Sequence, residues 1–195
     1  TRVSFGSAFN LLGGEVRETA GFESSALVKG ESLQDTARVL SGFSDVICMR
    51  HPQEGSVADF ASASRVPVMN GGDGANEHPT QALLDLYTIR SELEARGRAI
   101  DGLKIAMIGD LRHGRTVHSL SKLLSVYNNI EVVLVSPREL CLPATIIEAM
   151  RSAGVLVKES HELTGGINDV DIVYSTRIQE ERFSSKEEAD LYRGK

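Results

Sequence analysis

Short apolar runs rich in β-branched residues recur along the chain, each four to six residues long. They predict strands over Asp45–Met49, Val66–Met69, Lys104–Ile108, Ile130–Val135, Val155–Lys158 and Asp171–Ser175. Between and after them, helical spacing of apolar positions predicts helices over Ser32–Leu40, Ser56–Ser64, Thr80–Arg96, Thr116–Val126, Ala144–Ala153 and Lys186–Tyr192. Strands that alternate with helices of this length imply an α/β fold, parallel sheets with helices on both faces. The strands are almost wholly apolar, which suits a sheet covered on both sides.

The best-marked helix opens at His78-Pro79-Thr80, where Pro79 suits a first turn whose N–H needs no partner. Leu86, Ile89 and Leu93 fall at i, i+3, i+7, and Glu92–Arg96 is a favourable i,i+4 pair. The loop Gly97-Arg98-Ala99-Ile100-Asp101-Gly102 follows, and then a fresh strand. The domain boundary is therefore expected near residue 97, giving domains 1–96 and 97–195.

Composition narrows the field. The 195 residues are enough for one large domain or two small ones. With 41% hydrophobic and 25% charged residues, the chain has ordinary globular composition. The net charge is −6, of which residues 1–96 carry −5 (8 basic, 13 acidic) and 97–195 carry −1 (13 basic, 14 acidic). Neither half is a basic surface, which argues against nucleic acid or an anionic membrane as partner. No apolar run reaches the length of a membrane span. Cys48 and Cys141 form no framework, which points to a reducing, cytoplasmic compartment. The chain opens on Thr1-Arg2 and stops at Arg193-Gly194-Lys195, which reads as a piece of a longer protein.

In open parallel sheets, ligands bind beyond the carboxyl ends of strands. The chemistry-bearing residues cluster there: Arg50-His51-Pro52 after the first strand, and Asn70-Gly71-Gly72-Asp73-Gly74 with His78 after the second. Gly109 to Arg115 follow the third, and Thr176-Arg177-Ile178-Gln179 the sixth. Arginines and a histidine at four strand ends are an inventory for small anions, despite the acidic total.

Each single feature has a plainer reading. Gly109–Thr116 reads G-D-L-R-H-G-R-T, one residue away from a nucleotide phosphate loop. Arg115 replaces the lysine of that loop, and no later strand ends in a magnesium-organising aspartate, so the nucleotide reading is disfavoured. The five histidines show no metal-ligand spacing, so neither a metal nor a cofactor is expected. No G-x-S-x-G elbow supports a serine nucleophile. The acid pairs Glu180-Glu181 and Glu187-Glu188 are most simply solvated helix faces. His78 alone reads as a structural helix cap, and one arginine alone as a surface ion pair. Three arginines at strand ends together do not.

These blocks resemble the catalytic chains of the aspartate carbamoyltransferase family. The matching stretches run in order: Thr1-Arg2-Val3-Ser4-Phe5, Lys29-Gly30-Glu31-Ser32-Leu33, Met49 to Gly55 (M-R-H-P-Q-E-G), and Gly72-Asp73-Gly74. They continue through His78 to Leu86 (H-P-T-Q-A-L-L-D-L), Gly109-Asp110-Leu111 with Gly114 to Leu120 (G-R-T-V-H-S-L), and Ser175 to Phe183. The resemblance implies two α/β domains, one for carbamoyl phosphate and one for aspartate, with the active site between them. It implies that Thr1, Arg50 and His78 face the carbamoyl oxygen and phosphate, and that Gln81 holds the carbamoyl amide. Arg115 with Thr116, and Arg177 with Gln179, are then expected to hold the two carboxylates of aspartate. The stretch 22–31 is similar to the family's mobile loop, whose Ser25 and Lys29 reach a neighbouring subunit's site, so the resemblance implies a homotrimer. Some relatives also bind regulatory chains or belong to larger fusions. The resemblance implies no metal, nucleotide or covalent nucleophile.

The family's opening motif is Ser-Thr-Arg-Thr-Arg, and this chain begins at its second Thr-Arg. The preceding strand and helix, a late Pro-Leu-Pro loop and the closing helices have no counterpart here, so the 195 residues alone are expected to show little or no activity. The nearest rival is an ornithine carbamoyltransferase, whose Cys-Leu-Pro signature Cys141-Leu142-Pro143 imitates. That signature belongs after the last strand, whereas here it follows Val135-Ser136-Pro137. An arginine facing an ammonium is also repulsive, so Arg177-Ile178-Gln179 suits a carboxylate better. The other rival, an inactive binding or scaffold domain, is disfavoured by the intact set Arg50, His78, Gln81, Arg115 and Arg177.

Overall fold

A computed structural model describes residues 2–18, 30–74 and 77–180, together with 183, 185, 190 and 192. The chain divides into two compact units, Thr1–Asn76 and Glu77–Lys195.

The first unit holds the helices α1 (Arg2–Leu11), α2 (Leu33–Leu40) and α3 (Ser56–Ala63), and the parallel strands β1 (Ile47–His51) and β2 (Val68–Asp73). Its core is small: Ala37, Met49, Val57 and Phe60, with Leu33, Leu40, Ile47, Ala63 and Val68 packed around them. Ser32 caps α2 by accepting from the Asp35 N–H at 3.1 Å. Ser41 ties the end of α2 to the turn before β2, since its hydroxyl accepts from the Arg65 N–H at 3.0 Å.

Two features of this unit depart from the sequence reading. Both strands start two residues later than expected and run past their apolar stretches to His51 and Asp73. Backbone pairing does not need apolar side chains, and here it continues through Asn70 and an irregularity between Met49 and His51. The sequence reading also omits α1, although Phe5, Ala8, Phe9 and Leu12 fall at i, i+3, i+4, i+7. No residue of α1 is buried within this chain.

The second unit is a four-stranded parallel sheet in the order β5-β4-β3-β6. The strands are β3 (Lys104–Ile108), β4 (Glu131–Val135), β5 (Leu156–Ser160) and β6 (Ile172–Ser175). One face carries Ile105, Met107, Val132 and Leu134 into the main core, against α4 (Pro79–Glu94), α5 (Arg115–Leu124) and α6 (Ala144–Ser152). Ala106, Val133 and Val135 point the other way, onto Ile108, Ile167 and Val170 beside α7 (Leu163–Gly166). The period-two alternation thus feeds two cores, which is why β3 and β4 are apolar after their first residues, Lys104 and Glu131.

The sequence reading ends the first domain with α4, but Ala82, Ile89 and Leu93 pack in the second unit with Leu103, Leu120 and Leu124. The predicted Glu92–Arg96 pair closes at 2.7 Å. Of the helix expected over Lys186–Tyr192, only Asp190 and Tyr192 are among the described residues.

Candidate active site at the strand ends

In the second sheet the chain leaves β3, adds β4 and β5 on one side, and returns to place β6 on the other. The strand order therefore reverses at β3, and the carboxyl ends of β3 and β6 flank the crevice where open parallel sheets bind ligands. Ile108 pairs with Ser175 at this edge, so the loops after the two strands leave side by side. The first of these loops leads into Arg115 and Thr116, the first turn of α5, whose N-terminus favours anions. The second carries Arg177 and Gln179.

A buried carboxylate locks the two loops together. Asp110, fully buried, accepts from the His113 N–H at 3.0 Å and the Gln179 N–H at 3.1 Å. The His113 ring lies 3.1 Å from both carboxylate oxygens through Nδ1 and packs its other surroundings against the Phe183 ring, 4.9 Å between centroids. Gly109 permits the close approach of the loops: it holds φ +108°, and a Cβ there would meet the Thr176 carbonyl oxygen at 2.4 Å. Thr176 continues the ladder, its N–H donating to the Ile108 carbonyl at 2.9 Å. Arg177 is exposed, with Nη1 donating to the Ile178 carbonyl at 3.1 Å.

His78 takes the capping place that the sequence allowed. It caps α4, its Nδ1 accepting from the Gln81 N–H at 3.3 Å. A ring nitrogen that accepts cannot carry the proton, so the neutral imidazole holds its N–H at Nε2, a donor aimed elsewhere. The His78 backbone N–H in turn donates to the Ser119 hydroxyl on α5 at 3.0 Å, and Lys122 forms an ion pair with Glu77. Gln81, one turn into α4, donates through Nε2 to Asp85 at 3.0 Å. The other Asp85 oxygen accepts from the Tyr174 hydroxyl at 2.8 Å. Burial pushes the Tyr174 phenol up to about 12.

In the first unit Arg50 belongs to the last turn of the β1 ladder rather than to the loop beyond it, and its side chain is exposed. Its surroundings are held by a second buried carboxylate, Asp73. This accepts from the Gly55 N–H and from Asn70 Nδ2, each at 3.0 Å. Thr1, Ser25 and Lys29, expected at the site, lie outside the described residues. Among the described residues no group of three or more His, Cys, Asp or Glu side chains could hold a metal ion, and no helix is long and apolar enough to cross a membrane.

Two family models match the chain. The carbamoyl-P binding domain of aspartate/ornithine carbamoyltransferase matches residues 1–91, and the Asp/Orn binding domain matches residues 101–193. The chain belongs to the aspartate/ornithine carbamoyltransferase family. Within that family it is similar to the aspartate carbamoyltransferase catalytic subunit of Saccharophagus degradans, 73% identical over 195 residues, all of this chain and 58% of that one. It is also similar to the solved catalytic subunit of M. jannaschii aspartate transcarbamoylase (49% identity, TM-score 0.84, 99% of this chain and 62% of that one). A third likeness is to Trypanosoma cruzi aspartate transcarbamoylase in complex with carbamoyl phosphate and aspartate (44% identity, TM-score 0.85, 98% of this chain and 60% of that one). The chain thus spans about three fifths of the length of the relatives it matches.

Against this family background, Asp73, Asp85, Asp110, Ser119 and Tyr174 are the residues that the sequence reading left without a role. For the aspartates a signal existed. Asp73 and Asp110 stand beside glycine just after an apolar strand, where a short acid turns back on backbone N–H groups. Tyr174 and Ser119 carry none, since their partners are remote in sequence.

Proposed function

We propose that the full-length protein transfers the carbamoyl group of carbamoyl phosphate to the amine of L-aspartate, giving N-carbamoyl-L-aspartate and phosphate, in pyrimidine biosynthesis. The observation that carries this reading is the pair of loops at the β3/β6 switch point. Arg115, in the first turn of α5, and Arg177, in the loop after β6, follow these paired strand ends, and in this reading they meet one ligand. Two guanidinium forks suit a dicarboxylate, each able to take one carboxylate bidentately and so orient the amine. An ornithine side chain would bring an ammonium to an arginine instead.

In this reading the amine lone pair forms the new C–N bond and the carbonyl becomes a tetrahedral oxyanion. Collapse breaks the C–O bond to phosphate, which leaves with that electron pair, and the nitrogen sheds one proton. The His78 Nε2–H, Arg50 and Thr1 serve the carbamoyl oxygen and the phosphate, where negative charge grows. A preorganised donor of this kind is worth roughly 3–4 kcal/mol in the transition state. Gln81 holds the carbamoyl amide, and Gln179 and Thr116 complete the aspartate site. Carbamoyl phosphate is assigned to residues up to about 96 and aspartate to the remainder, in keeping with family models that end at 91 and begin at 101. The assembly is a homotrimer of cytoplasmic chains in which Ser25 and Lys29 serve a neighbouring subunit.

The test is ureido product formed by the full-length enzyme from carbamoyl phosphate with aspartate or with ornithine. Product with aspartate is expected; product with ornithine alone overturns the assignment. Arg177→Ala should raise the KM for aspartate at least tenfold and leave that for carbamoyl phosphate within about twofold, since one charge-assisted pair is lost. Equal changes in both would remove Arg177 from the aspartate site.

A further inference from the structure

Asp85 lies one turn beyond Gln81 on α4 and is spent entirely inside the protein. Its two carboxylate oxygens take one donor each, Gln81 Nε2 at 3.0 Å and the Tyr174 hydroxyl at 2.8 Å. A carboxylate has no hydrogen to give. Were the Gln81 amide turned over, its oxygen would face Asp85 Oδ1 with two acceptors in contact. The carboxylate therefore fixes which way round the amide stands: nitrogen towards Asp85, oxygen turned away. Tyr174 fixes the carboxylate in turn. Its hydroxyl has a single proton, which goes to Asp85. With the phenol near 12, that proton stays in place at physiological pH.

The consequence is a chemical preference. A glutamine amide free to rotate can meet either a donor or an acceptor, but one held oxygen-forward meets only a donor. We propose that Asp85, held by Tyr174, is a positioning residue that presents the Gln81 amide oxygen to the NH2 of the carbamoyl group. It thereby selects a carbamoyl over an acyl phosphate of the same shape. This rests on the assignment of Gln81 to the carbamoyl amide.

The test uses the full-length enzyme and the ratio of its affinities for carbamoyl phosphate and acetyl phosphate, in which a methyl group replaces the amine. Asp85→Asn keeps the shape but can donate, so Gln81 can turn over. The ratio should fall about tenfold, the size of one hydrogen bond, with acetyl phosphate affinity within twofold of the parent. A fold defect would instead weaken both ligands together, and that result, or an unchanged ratio, overturns the proposal. Tyr174→Phe retains the Gln81–Asp85 bond and loosens the carboxylate, so about a threefold fall is expected; no fall counts against the proposal. Gln81→Met separates the two levels. If it leaves the ratio at the parent value, the assignment of Gln81 itself fails. If it abolishes the preference while Asp85→Asn does not, only the positioning role fails.

Discussion

A side chain at Gly109 would collide with the Thr176 carbonyl oxygen at 2.4 Å, in a backbone conformation (φ +108°) that L-residues rarely adopt. Gly109→Ala should therefore cost about 3 kcal/mol in urea unfolding, from strain and forced separation of the β3 and β6 loops. Aspartate binding should weaken with it, because the same shift displaces the loop that carries Arg177. An unfolding midpoint equal to the parent's would show that the loops can part without loss. At this scale the sequence was informative about which side chains carry charge to the strand ends. It placed Asp110 at a turn but said nothing of the remote partners that Asp110 and Asp85 hold. Asp110 and Asp85 owe their roles to partners 69 and 89 residues away, Gln179 and Tyr174. No local pattern encodes such pairs.

At the scale of elements, β6 is an edge strand whose start is pinned by Asp171. That carboxylate accepts from the Lys104 N–H at 2.9 Å and from both terminal nitrogens of Arg98, one at 2.9 Å. The hydrogen bonds from Arg98, set against some burial, hold its carboxyl below the usual aspartate range. A depressed folded-state pKa means that the unfolded chain binds the proton more readily. The stabilisation is thus present above the unfolded value, about 3.9, and lost as pH falls through the folded one. Asp171→Asn should lower the thermal midpoint at pH 7, and its difference from the parent should shrink steadily towards pH 3. A difference independent of pH would assign the effect to geometry rather than charge. Element type was legible because apolar periodicity reports burial directly, as in β3, whose bounds match the expected Lys104–Ile108. The ends of β1 and β2 were not, because pairing outlasts the apolar run there.

For the whole molecule, the distribution of core is uneven. Among the described residues, the second unit buries a long run of apolar side chains around its sheet, whereas the first buries Ala37, Met49, Val57 and Phe60, and α1 buries none. Leu83, Leu84 and Tyr87 on α4 are each more than half exposed. Apolar faces of this kind mark surfaces that meet further protein, and the relatives are longer chains. The 195 residues expressed alone should accordingly turn over at less than about a hundredth of the full-length rate, since a misplaced or missing catalytic group costs factors of that order. Turnover near the full-length value would contradict this.

By itself the sequence determined the alternation of strands and helices and the family, since both follow from local periodicity or contiguous motifs. It also led to the expectation that a few arginines at strand ends meet small anions, in spite of the net charge of −6. Only the tertiary structure decided the strand order β5-β4-β3-β6, and with it the switch point at which the loops after β3 and β6 leave side by side. It likewise decided that α4 shares a core with α5 and that Asp85 joins Gln81 to Tyr174. The physical reason is common to all three: they depend on contacts between residues far apart in the chain, which are fixed only when the sheet closes and excludes water from both its faces.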